Sequence, residues 1–285
     1  MNSSASIPQQ SESSPVSDTA RLYLHAFWGL MLRDFRVLRR EIGPFIIRVA
    51  MNPLLFLFVF TYIFPRIGQS FGSTSASGAM NFGTVLLPGL MAVAIMFTGI
   101  AAVALPLSTE FGITREIDDR VMCPLPVAGV AMEKICFSAL QSILSALIVF
   151  PLAYFIPAQP VHVHIGSYLL LGAVIVLASL VSGALGLTIG TSVEPRQIGL
   201  IFSVVVVPIT FLGCVYYPWA LLSHVRWLQY AVLFNPIVYM SEGLRAALTP
   251  ALPHMPSWLI LAALALSLLL LGSVGIRGFL RRVIG

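Results

Sequence analysis

Between residues 246 and 276 the chain carries no Asp, Glu, Lys or Arg, and Leu dominates the second half of that stretch. A helix that crosses a bilayer needs about 20 mainly apolar residues. Residues 257–277 meet that condition, and so do residues 45–64, 83–108, 135–157, 166–192 and 197–216. Inside hydrocarbon no water satisfies a backbone amide, so each span must bond its own backbone, as a helix does. The expected fold is therefore an all-α polytopic membrane protein with six transmembrane helices. A soluble domain is excluded by composition: only 9% of residues are charged and 58% are hydrophobic, against about 25% charged in ordinary globular domains. Pro88, Pro106 and Pro208 fall within or near spans and mark expected kinks.

The basic residues report orientation. With the N-terminus inside, Arg66, Arg226 and Arg245 fall outside, and the rest of the 16 Lys+Arg lie on the inner side. That asymmetry places both termini of a multi-pass membrane protein in the cytoplasm. The sequence pI of 9.4 does not point to nucleic acid, because the positive charges sit at the ends of apolar runs and form no soluble basic face. Cys123, Cys136 and Cys214 show no metal or disulfide spacing.

Residues 1–20 are rich in Ser, Gln and Pro and lack aromatic residues, as expected of a disordered tail. They do not read as a signal peptide, since the first basic residue is Arg21. Residues 21–42 form an amphipathic helix by spacing. Leu24, Phe27, Met31, Phe35, Leu38 and Ile42 recur at steps of three and four, while Arg33, Arg36 and Arg40 make a basic stripe. Such a helix suits the cytoplasmic membrane interface, rings toward lipid and guanidiniums toward headgroups; packing on a soluble partner is the competing reading. The remainder, residues 43–285, forms the six-helix domain.

Two segments between spans stand out. Residues 109–120 gather Glu110, Arg115, Glu116, Asp118, Asp119 and Arg120 in a chain otherwise almost uncharged, and Pro124 and Pro126 follow. They form either a short helix offered to a soluble partner or a solvated turn. Residues 217–256, on the outer side, combine Trp219, Trp227, Tyr230 and Phe234 with Asn235, Pro236, Tyr239, Glu242 and Arg245. Aromatic rings favour the membrane interface, so one or two short helices dipping into the outer leaflet are expected as a re-entrant hairpin. Glu242 and Arg245, three apart, read first as a local salt bridge holding that hairpin. Ser179, Gly183, Gly186 and Gly190 line one face of the fourth span and permit close helix contact, within the chain or between two copies.

Several chemistries are absent from the sequence. The single lysine, Lys134, follows Glu133, so no G-x-x-x-x-G-K-[ST] phosphate loop exists in this chain. No zinc-protease or nucleophile-elbow motif occurs, and His25, His162, His164, His224 and His254 are dispersed. Within spans two, three and six, as bounded above, there is no carboxylate to serve as a proton or sodium site.

The order of these parts resembles the ABC-2-type transporter permeases. The stretches that carry the resemblance are residues 51–55 (Met-Asn-Pro-Leu-Leu), 87–89 (Leu-Pro-Gly), 110–126 and 235–245 (Asn-Pro-Ile-Val-Tyr-Met-Ser-Glu-Gly-Leu-Arg). The resemblance implies that residues 109–120 are a coupling helix seated on a separate ABC ATP-binding subunit, and that two permeases pair with two such subunits. ATP and magnesium would then be bound by the partner, with no cofactor and no catalytic residue in this chain, whose surroundings are the lipid bilayer. It also implies an outer gate in the 217–256 segment. Export of a hydrophobic or amphipathic small molecule, drug- or lipid-like, is the expected function. Export of a polysaccharide or lipid-linked glycan is the alternative, kept open by Phe56, Phe58, Phe60 and Tyr62 in the first span. An ATP-independent carrier is the second alternative.

Overall fold

The computed structural model describes residues 15–63, 66–67, 82–114, 125–156 and 164–284. Every regular element among them is helical. Helix α1 (Pro15–Arg40) breaks at Glu41 and is followed by α2 (Ile42–Ile63). Pro53 lies inside α2, and the helix widens to π geometry over Phe58–Ile63. Helix α3 (Phe82–Thr109) continues into a π turn at Glu110–Thr114. Helices α4 (Val127–Phe155) and α5 (Tyr168–Ser192) follow. Helix α6 (Pro195–Phe211) is assembled from short 3-10, α and π pieces. A 3-10 turn (Trp219–His224) then leads to α7 (Arg226–Ala231), α8 (Pro236–Leu248) and α9 (Ser257–Ile284).

Five helices, α2, α3, α4, α5 and α9, are long and apolar enough to cross a membrane. The expected fifth span differs. At 1.5 Å per residue α6 is about 25 Å long, short of a hydrocarbon core of about 30 Å, and its irregular turns follow from a β-branched run, Val204 to Val207, ahead of Pro208. Helix α6 nonetheless runs beside α3. A Cβ on Gly112, in the π turn after α3, would stand 2.7 Å from Pro195 at the start of α6, and one on Gly89 would strike the Val215 backbone just past its end.

Helices α3 and α5 form the centre, flanked by α4 and α9, with α8 packed onto α3, α5 and α9 at the end opposite the charged loop. Small residues make that density possible. A Cβ on Gly186 would lie 2.9 Å from the Ile100 Cα, and one on Gly190 3.2 Å from the Ala104 Cα. Gly183 abuts Ser138 and Ile135 on α4. The face made by Ser179, Gly183, Gly186 and Gly190 is thus consumed inside the chain. Hydroxyls add bonds across the crossings: Ser142 of α4 donates to the Ile95 carbonyl of α3 at 3.0 Å, and the Thr188 hydroxyl of α5 lies 3.0 Å from the Leu271 carbonyl of α9.

Helix α1 departs from the expectation in two ways. It begins at Pro15, so residues 15–20, assigned by composition to a tail, are helical; residues 1–14 lie outside the described residues. Its packed face is also rotated. Leu30 and Leu38 are buried and Phe27 and Met31 partly so, while Leu24, Phe35 and Ile42 of the predicted apolar face are exposed. Lipid and protein are both apolar neighbours, so α1 carries apolar residues on two sides. Spacing alone averages them. The stripe of Arg33, Arg36 and Arg40 is exposed, as expected.

Candidate functional site

Two polar constructions stand at opposite ends of the bundle. One flanks the charged loop. Arg115, Glu116, Asp118, Asp119 and Arg120 lie outside the described residues, whereas both of its flanks are described. Glu110 does not face outward with that group. Its side chain is buried and paired with Lys134 of α4 at 2.8 Å, with a hydrogen bond at 2.9 Å. The helix of the third span starts at Val127 and not near residue 135, which brings Glu133 and Lys134 into it, both buried. The sequence reading that span three holds no carboxylate is corrected accordingly: Glu133 is fully buried in α4. The run Val127 to Met132 is apolar and continuous with the span, a signal that the charge pair at Glu133 and Lys134 obscured.

Arg282 of α9 is a second anchor at this end, unmarked by any sequence motif. Its guanidinium donates to the carbonyls of Gly190 (3.2 Å), Thr191 (3.3 Å) and Val193 (2.9 Å), closing the C-terminus of α5. A cation at a helix C-terminus bonds carbonyls that lack intrahelical donors and opposes the dipole's negative end. The same guanidinium lies 4.8 Å from the Phe111 ring centroid, and that ring meets Phe279 at 6.0 Å. The turn beginning at Glu110 is therefore tied to α4 through Lys134 and to α5 and α9 through Arg282.

The construction at the opposite end centres on Glu242 and Arg245, both buried on α8. Their ion pair is 2.5 Å long. Glu242 Oε1 also accepts from the Trp219 amide (2.9 Å), and Oε2 from the Met255 amide (3.1 Å). Arg245 Nη2 donates to the Cys214 carbonyl at 3.2 Å. Cys214 holds a φ of 51°, in the left-handed region that costs a non-glycine residue about 1–2 kcal/mol, and its carbonyl is bonded by the guanidinium. The pair thus joins three separate stretches: the turn after α6, the start of the 3-10 turn and the approach to α9. Asn235 caps α8, accepting from the Ile237 amide at 3.1 Å and donating to the Ile209 carbonyl of α6 at 2.6 Å. Pro236 takes the first helical position, where its missing N–H costs nothing. The Tyr239 hydroxyl donates to the Leu233 carbonyl at 2.9 Å.

The 217–256 segment reads from sequence as one or two short helices dipping into the outer leaflet. Its short helices are present, but α8 is buried from Met240 through Leu248 against the bundle. The exposed rings belong to the preceding stretch: Trp227 is 73% exposed, Tyr230 66% and Phe234 95%. Small residues let α8 in, since a Cβ on Gly243 would stand 2.8 Å from Val174. Ser241, Gly243, Ala246 and Ala247 were a readable sign of a packed helix.

A bundle of long apolar helices with a buried ion pair at each end has the build of a membrane transport permease. The chain belongs to the ABC-2 type transporter family, whose sequence profile matches residues 25–249. It is 28% identical over 237 residues to the inner membrane transport permease YadH of Escherichia coli K12, covering 78% of this chain and 84% of that relative. The YadH proteins of Escherichia coli O157:H7 and Shigella flexneri match to the same extent.

Proposed function

We propose that this chain is the membrane subunit of an ATP-driven exporter in a bacterial inner membrane, with both termini cytoplasmic and six crossings, α6 being the fifth. The name of the YadH relatives supports the inner-membrane assignment. Supporting a count of six, the stretch from Pro195 at the start of α6 to Val215 just past its end follows α3 from Gly112 to Gly89. The observation that carries the coupling role is the double anchoring of the loop's first flank, by Lys134 on α4 and by Arg282 bridging α9 and α5. A push on residues 109–120 is then delivered to rigid helices and not absorbed by a slack turn. The family normally pairs such a permease with an ATP-binding subunit, and two of each make the assembly proposed here. A second copy of the permease covers the apolar faces of α2 and α6, where Met51, Leu55, Phe58, Val204, Val207 and Phe211 are exposed. The α8 lock around Glu242 and Arg245 forms the outer gate. ATP-driven closure of the ATPases would tilt the helices between two states that contact the ATPase differently.

The cargo proposed is a hydrophobic or amphipathic small molecule. A glycan is the second reading, favoured by one observation: rings from the first and fifth crossings converge, Phe56 and Phe211 each meeting Tyr216 with centroids 5.7 and 5.8 Å apart, and Phe56 stacking on Phe60 at 5.9 Å.

A mild-detergent pull-down of the tagged chain from its native cells, followed by mass spectrometry, tests the partnership. A Walker-type ATPase at a one-to-one ratio is expected; reproducible absence with intact permease would favour an ATP-independent carrier. Replacing Glu116, Asp118 and Asp119 together by alanine should abolish transport while the permease stays in the membrane.

A further inference from the structure

A cavity of about 590 Å³ opens between α1, α2, α3 and α4 at the end where α1 meets α2. Its wall includes Arg33, Asp34, Glu41, Arg48, Glu110 and Lys134. A second cavity of about 130 Å³ adjoins it, with Arg48 and Ala101 in both walls, between Val49 and Pro53 of α2 and Val93 and Phe97 of α3. The first is a charged vestibule. In the second, apart from Arg48, the one polar side chain in the wall is Thr98. A polar chamber set against an apolar slot has the shape of a headgroup with a chain beside it.

Arg48 stands at the junction. Of the vestibule cations, Lys134 is engaged by Glu110, whereas Arg48 is exposed and its guanidinium lies 6.0 Å over the Phe45 ring, two turns into an apolar helix. A guanidinium placed at membrane depth is costly unless it meets an anion or reaches the interface. It also pairs with phosphate through two parallel hydrogen bonds.

We propose that these joined cavities bind an inner-leaflet amphiphile with an acidic phosphate headgroup, the phosphate on Arg48 and one chain in the slot lined by Val49, Pro53, Val93 and Phe97. The site narrows the cargo class to acidic amphiphiles and rests on the permease reading for its role in transport, though not for binding itself. The break between α1 and α2 at Glu41 puts the vestibule where the cytoplasmic headgroup layer lies under the proposed topology.

The test uses the full chain in phosphatidylcholine nanodiscs containing a small fraction of phosphatidylglycerol with a photoreactive acyl chain, and maps crosslinks by peptide mass spectrometry. Crosslinks to α2 and α3 around Pro53 and Phe97 are expected, reduced about tenfold in Arg48→Gln and reduced less in Arg48→Lys, which keeps the charge but loses the two-bond fork. Arg277→Gln, outside the cavity, should change nothing. Ala94→Phe fills the slot with Arg48 intact and should abolish the same crosslinks, which covers misfolding of the Arg48 variant. Soluble glycerol phosphate should fail to compete; if it competes fully, the ligand is a free phosphate and the chain-in-slot assignment falls. Equal labelling by a photoreactive phosphatidylcholine, or labelling indifferent to Arg48→Gln and Ala94→Phe, means ordinary boundary lipid and overturns the proposal. Because ATPase pull-down is read separately, loss of the site leaves the permease reading standing, and loss of the partner leaves the binding result standing.

Discussion

Glu242 accepts from three donors, the amides of Trp219 and Met255 and the Arg245 guanidinium. Deleting one member of a buried pair leaves an uncompensated charge and costs about 3–5 kcal/mol, while replacing both by apolar residues of similar volume is often far less costly. Glu242→Ala and Arg245→Ala should each lower the melting temperature of the detergent-solubilised permease, and Glu242→Met with Arg245→Met should recover much of the loss; scanning fluorimetry reads all three. Additive losses in the double variant would mean that the residues act separately. The sequence offered the pair at helical spacing and its local-bridge reading. It could not supply the partners at Cys214, Trp219 and Met255, because those contacts close loops between distant positions.

Helix crossings decide the next scale. At Gly186 the α3 backbone approaches so closely that Gly186→Val must force the helices apart, costing about 1–3 kcal/mol by overpacking. Gly172→Ala, on the same helix with nothing within 4 Å, should be silent in the same thermal assay. The glycine face was visible in the sequence, but whether it met another copy or another helix of this chain was not. The Glu110–Lys134 bridge predicts coupling at the element scale. Lys134→Met should reduce cargo-stimulated ATP hydrolysis in the permease–ATPase complex more than it reduces assembly, and the exchange Glu110→Lys with Lys134→Glu should restore part of it. A fall in assembly equal to the fall in stimulation would assign the bridge to folding alone. Glu133 and Lys134 looked like a loop boundary, since charge is the usual sign that a span has ended; tertiary burial overrode that sign.

For the whole molecule, the topology itself is measurable. In a variant lacking the native cysteines, Ser223→Cys should react with an impermeant maleimide from outside intact cells, and Val193→Cys only after the membrane is opened. Reaction of both from one side would mean that α6 does not cross. The approximate place of the apolar helices, the uneven placement of the basic residues along the chain and the family resemblance were legible in the sequence, because hydrophobic length and basic-residue position are one-dimensional properties; whether residues 197–216 make a full span was not. The tertiary structure alone decided which face of α1 meets protein, that α8 is packed into the bundle, that Arg282 closes α5, and that a charged vestibule and an apolar slot share Arg48 in their walls. Lipid and protein interior present a helix with nearly the same apolar environment, so hydrophobic pattern cannot tell them apart; only packing can.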